Sequence, residues 1–247
     1  MDRAKSVVKR RTVGAVSAPT VGFDLDMTLI DPRPGMVLAM DEVRRRTGFP
    51  VDGELFASNL GPPLDGYFRG CGLDEEQVLA GVREFRALYP EIVIPRTVGL
   101  PGAAESLAAV RAAGGAAVVV TGKYGPNAQL HLDALGWEVD HLVGELWSTE
   151  KAVALRRFGA KVYVGDHIGD VNGAKAAGAF SVAVPSGPCT ARELLAAGAD
   201  LVLDSLTEFP RWLAGSAAVL AGLPEHRENA EREADRQQQT GQVQPQG

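Results

Sequence analysis

Near the start of this 247-residue chain an apolar run ends in two carboxylates, in Phe23-Asp24-Leu25-Asp26-Met27-Thr28-Leu29. A strand that stops there places both acids at its C-terminal end, the edge of an open α/β sheet where ligands bind. Neighbouring like charges repel, and burying them costs on the order of several kcal/mol. A cation relieves that cost. The same residues also read as a strand end with acidic caps. A second run, Lys161-Val162-Tyr163-Val164-Gly165-Asp166-His167-Ile168-Gly169-Asp170, again leads straight into acids. Asp166 ends the strand, and Asp170 falls where it can also cap the next helix. Oxygen-only donors at two strand ends suit Mg²⁺.

Two further stretches add phosphate chemistry. In Val118-Val119-Val120-Thr121-Gly122-Lys123 a strand ends in a hydroxyl, a glycine whose N–H can approach a ligand, and a cation. That combination can hold phosphate oxygens. Lys151, in Ser148-Thr149-Glu150-Lys151, opens a helix, where a cation opposes the helix dipole. An ordinary surface lysine is the alternative there.

Such residues need a frame. Short apolar runs at 20–25, 116–121, 141–143, 161–165, 180–184 and 200–203 read as strands, and four of the six lack alternation, as in strands buried on both faces. Helical patterns at 101–113, 127–135, 149–158, 169–177 and 190–197 lie between them, each closed by a glycine that can take the left-handed conformation. Repeated strand–helix alternation predicts a doubly wound, Rossmann-like α/β sheet. Residues 33–97 break the rhythm with four helical patterns, at 35–47, 53–59, 63–71 and 74–88. The expected organisation is a flexible arm (1–18), a core (19–32 and 98–222), a helical cap (33–97) and a disordered tail (223–247) that is charged, Gln-rich and nearly devoid of apolar residues.

Composition narrows the partners. With 45% hydrophobic and 23% charged residues the chain can build a core, and a net charge of −6 argues against a nucleic-acid surface. Cys71 and Cys189 stand far apart with no metal-ligand spacing and fit a reducing compartment. No apolar run reaches the roughly 18–20 residues of a membrane span. The basic MDRAKSVVKRR start is followed by a stretch too short and too broken for a signal segment. The expectation is a cytoplasmic protein with no membrane and no nucleic-acid partner; no oligomeric state is assigned.

In this order the four stretches resemble the motifs of the haloacid dehalogenase superfamily: Asp24–Leu29 the first, Thr121 the second, Lys151 the third, and 164–170 the fourth. Val98-Gly99-Leu100-Pro101-Gly102 and Asn59-Leu60-Gly61-Pro62-Pro63-Leu64 are similar to the core-helix start and the cap turn of its phosphoglycolate-phosphatase-like branch. The resemblance implies an Mg²⁺-dependent phosphatase acting on a small phosphorylated metabolite, phosphoglycolate-like or a sugar phosphate. Asp24 would be the nucleophile and Asp26 the proton donor and acceptor. Lys151 would neutralise charge, and Thr121, Gly122 and Lys123 would bind phosphate. The metal would rest on Asp24, the Asp26 backbone carbonyl, Asp166 and Asp170. Asp26 argues against carbon–halogen cleavage, because the dehalogenases lack an acid there. A phosphomutase using the same pair, or a non-catalytic protein on this fold, is the alternative. Arg69, Tyr67 and Lys123 are candidates for reading the rest of the substrate. Trp147 reads as packing, His167 as a harmless replacement, and His131 is given no role.

Overall fold

A computed structural model of the chain describes residues 18–223. The expected arm and tail lie outside them, except for one residue each. From its N-terminus the described chain forms β1 (Thr20–Phe23), the two-residue β2 (Ile30–Asp31), and then α1 (Arg33–Thr47), α2 (Gly53–Ser58), α3 (Leu64–Gly70) and α4 (Glu75–Ile92). Strand–helix alternation follows: β3 (Val98–Gly99), α5 (Ala103–Ala112), β4 (Ala116–Val120), α6 (Gly125–Leu135), β5 (His141–Val143), α7 (Lys151–Arg157), β6 (Ala160–Gly165), α8 (Ile168–Ala177), β7 (Phe180–Ala183), α9 (Ala191–Ala197) and β8 (Leu201–Val202). Two short helices, α10 (Phe209–Gly215) and α11 (Ala217–Ala221), end the described chain.

Six strands make one parallel sheet in the order β5-β4-β1-β6-β7-β8. The order reverses at β1, so β4 and β6 flank it and the loops leaving all three open on one edge. Successive side chains point to opposite faces. Val119 therefore packs with Leu107, Leu132 and Phe209 from α5, α6 and α10, whereas Val118 and Val120 pack with Leu155 and Ala174 from α7 and α8. Both faces are dry, which is why the runs are nearly continuous in Val and Ala. Helices stop where glycine takes a positive φ, at Gly136 (66°) and Gly178 (73°) among others.

The strands end a residue or two before the apolar runs do, at Phe23, Val120 and Ala183, because the next residues turn into the loops at the carboxyl edge of the sheet. Helices α1–α4 bury a cluster of their own, including Met40, Val43, Phe56, Phe68 and Phe85, and Met27 from the first loop joins it. The chain leaves for these helices through β2 and returns through β3. The two pair antiparallel, Ile30 with Gly99 and Asp31 with Val98. Sequence reading gave no sign of this ribbon, since two residues are too few to show a period. Helix α4 also runs on to Ile92, with Pro90 inside it.

Candidate active site

β1 delivers Asp24 by sheet pairing: its N–H donates to the Val164 carbonyl at 2.8 Å, one residue past the strand. The next residues wind into a tight loop in which the Leu25 carbonyl accepts from Leu29 and Ile30 at 2.9 and 3.0 Å. Met27 sits at φ 58°, a left-handed conformation that costs a non-glycine residue about 1–2 kcal/mol. Burial of its side chain among the α1–α4 residues and a bond from Ser186 Oγ to its carbonyl hold it there.

Lys151 is fully buried. Its ammonium has three protons to donate, and three acceptors take them: Asp24 Oδ1 at 2.9 Å, Asp170 Oδ1 at 2.6 Å and the Tyr163 hydroxyl at 2.9 Å. Tyr163 donates onward to the Val120 carbonyl at 2.6 Å. Asp170 Oδ2 accepts the His167 N–H at 3.0 Å, and His167 Nδ1 accepts from Gly169 at 2.9 Å, so the opening of α8 is capped from both directions. Asp170 thus serves as cap and site residue together, and His167 is a capping residue with an acceptor nitrogen. Asp166 Oδ1 accepts from Thr28 Oγ1 at 2.8 Å. Its other oxygen faces Gly187, where an added Cβ would stand 1.8 Å away.

Asp24, Asp166 and Asp170 each turn one oxygen to a common point, all within 4.8 Å of one another. Burial pushes the Asp24 carboxyl up to about 7; Lys151 opposes the shift and Asp170 adds to it. Burial, then Asp170 and Asp24, also drive Asp166 well above the carboxylate range. For Lys151 burial works downward, but the two acids outweigh it and the ammonium is raised. Were Asp24, Asp26, Asp166 and Asp170 all ionised, the ammoniums of Lys151 and Lys123 would leave two negative charges uncompensated. Hard oxygen donors with that deficit fit a divalent cation.

Asp26 stands apart from the trio. Its Oδ2 lies 2.9 Å from Lys123 Nζ, and its Oδ1 is buried with no partner. Lys123 also donates to the Tyr89 hydroxyl of α4, which in turn meets His131 Nε2 on α6 at 2.7 Å. An ammonium can only donate, so Tyr89 accepts from Lys123 and gives its own proton to His131. His131 is therefore neutral, with its proton on Nδ1, and burial pulls its pKa down to about 2. Thr121 is buried, and its Oγ1 accepts the Lys123 N–H at 3.2 Å. Gly122 approaches Gly61 so closely that a Cβ would lie 2.8 Å from the Gly61 carbonyl.

Asp24, Asp166, Asp170 and Lys151 are thus brought into one cluster, with Asp26, Thr121, Gly122 and Lys123 beside it. Arg69 lines the cavity above but is held by Asp65 and Glu75. Tyr67 does not line it; its hydroxyl is tied to both backbone groups of Asp52. Trp147 does more than pack: its ring lies against Gly61 and 5.0 Å from the His167 ring, and it borders the cavity. Its place just before the helix of Lys151 was the available signal. Thr28 falls inside the first motif without having been singled out, and Tyr163 and Gly187 carried no signal, because their partners are distant in sequence.

A family profile described as haloacid dehalogenase-like hydrolase matches residues 21–175. The chain belongs to this family. A protein named "Probable phosphatase IndB", from Dickeya dadantii, is 32% identical over 83% of this chain and 96% of its own length. A protein named "Phosphoglycolate phosphatase", from Caulobacter vibrioides, is 29% identical over 81% of this chain and 92% of its own length. Among solved structures, a haloacid dehalogenase-like family hydrolase from Streptococcus pneumoniae superposes with a TM-score of 0.70 at 22% identity, covering 80% of this chain and 99% of that one, and shares the fold.

Proposed function

We propose that this haloacid dehalogenase-like hydrolase cleaves phosphomonoesters through an aspartyl phosphate on Asp24. The reading is carried by one observation: Asp24 is buried against a lysine ammonium at 2.9 Å, beside two further buried acids that need a cation. The names of two relatives, a probable phosphatase and a phosphoglycolate phosphatase, support the same chemistry.

In the first step an Asp24 oxygen attacks phosphorus, the bond from phosphorus to the ester oxygen breaks, and the Asp26 carboxyl gives its proton to the leaving alkoxide. In the second, the Asp26 carboxylate takes a proton from water, the water oxygen attacks phosphorus, and phosphate leaves with Asp24 restored. Lys151 holds Asp24 in place and offsets its charge. Thr121 and the Gly122 N–H bind phosphate oxygens. Mg²⁺ on Asp24, Asp166, Asp170 and the Asp26 carbonyl would supply charge neutralisation between carboxylate and phosphate. Residues 33–97 serve as a cap over the carboxyl edge, and the leaving group lies beneath it.

The expected result is Mg²⁺-dependent phosphate release from p-nitrophenyl phosphate by the native chain, and none above background after Asp24→Asn. Release that survives this change removes Asp24 as nucleophile.

A further inference from the structure

The proton donor Asp26 opens onto a cavity of about 470 Å³ between the core loops and α2–α4. Pockets of roughly 300–1,000 Å³ enclose drug-sized ligands, so this one has room for far more than a two-carbon leaving group. Its charged lining is balanced. Three basic side chains border it, and each is paired with an acid that borders it too: Lys123 with Asp26 at 2.9 Å, Arg86 with Glu145 at 2.9 Å, and Arg69 with Asp65 at 2.5 Å. Arg86 is further committed by stacking on Tyr124, 3.6 Å from the ring centroid. A second anion on the substrate would therefore find Arg86 and Arg69 already neutralised, and Lys123 held by Asp26 and Tyr89 next to the reacting phosphate. The remaining wall is mostly hydrocarbon, with Phe56, Leu60, Val78, Leu79, Val82 and Phe85 from the cap segment. A sugar hydroxyl that faces this hydrocarbon would be left without a partner, at a cost of about 1–3 kcal/mol each. Besides Tyr89, the neutral polar side chains on the wall are few: Tyr124, Asn127 and Trp147.

We infer that the cavity selects a phosphomonoester whose leaving alcohol is uncharged and has a largely apolar body. This rests on the phosphatase reading above and names the substrate class of that site. The phosphate is held at the core edge, and the apolar body enters between α2, α3 and α4. Binding strength then comes from area removed from water on the cap side.

The test compares kcat/KM of the full chain with Mg²⁺ for 2-phenylethyl phosphate, phosphoglycolate and glucose 6-phosphate. All three are esters of primary alcohols, which limits differences in intrinsic leaving-group reactivity. The phenylethyl ester should be preferred over each of the others by roughly tenfold or more. Leu79 is more than half exposed, so Leu79→Asp leaves the fold in place, as a circular dichroism melt will verify. That change should shrink the preference at least fivefold, chiefly through KM of the phenylethyl ester. Equal or faster turnover of phosphoglycolate or glucose 6-phosphate overturns the inference and leaves the phosphatase reading standing. So does a preference that Leu79→Asp does not move. Absence of phosphate release from every ester overturns both.

Discussion

Lys151 uses all three of its protons inside the protein, two of them on carboxylates that would otherwise repel each other. Removing one member of a buried ion pair costs about 3–5 kcal/mol, because the partner is left charged in a dry site. Lys151→Met is accordingly expected to lower the unfolding free energy extrapolated from a urea titration by an amount of that order in the presence of EDTA. A shift below about 1 kcal/mol would show that water reaches Asp24 and Asp170 more freely than their burial indicates. His131 gives a separate pH signature. Its folded pKa of about 2 lies far below the ordinary histidine value of 6.5. Below pH 6.5 the unfolded chain binds a proton that the folded chain refuses, so stability is intact above that pH and drains away as pH falls from 6.5 toward 2. His131→Gln should flatten the loss of thermal stability between pH 6.5 and 4. An unchanged slope would mean that other groups account for the acid sensitivity.

At the scale of elements, the site is a property of strand ends. β1 brings Asp24, β4 brings Thr121, and β6 brings Asp166, and parallel pairing sets them side by side. This part was legible in the sequence because a strand buried on both faces writes itself as an unbroken apolar run, and the first polar residue after it marks the edge. What supports the acids was not legible. Tyr89 and His131 are separated by 42 residues, Lys151 and Asp24 by 127, and Thr28 and Asp166 by 138. The acids and Lys151 stand in legible motifs, but nothing local shows which residues they bond to, and nothing local distinguishes Tyr89 and His131 from ordinary core. Gly187 belongs to the same class: it lies in the loop after β7, and only the nearness of the Asp166 oxygen explains why a side chain cannot stand there. Gly187→Ala should displace Asp166 and weaken Mg²⁺ affinity at least tenfold in calorimetric titration, with melting temperature reduced by only a few degrees. Native affinity in that variant would remove Asp166 from the metal set.

On the scale of the molecule, two cores meet at one loop. Met27 follows directly on Asp26, yet its side chain packs with the helices of the cap segment, and Tyr89 from that segment reaches back through Lys123 to Asp26. The proton-handling residue is thus gripped from both sides. The route between the cores is narrower still. Ile30–Asp31 and Val98–Gly99 leave and return as paired neighbours, so everything between them begins and ends at the same place. Joining Asp31 to Val98 through Asn-Gly would turn the ribbon into a two-residue hairpin. The shortened chain is expected to melt cooperatively and to titrate Mg²⁺, while losing preference among phosphate esters; a chain that fails to fold would show that the core depends on the helices above it. Seen this way, residues 32–97 are a cassette clipped in at one point, so exchanging it for another would leave Asp24, Asp166 and Asp170 where they are and change only the grip on Asp26.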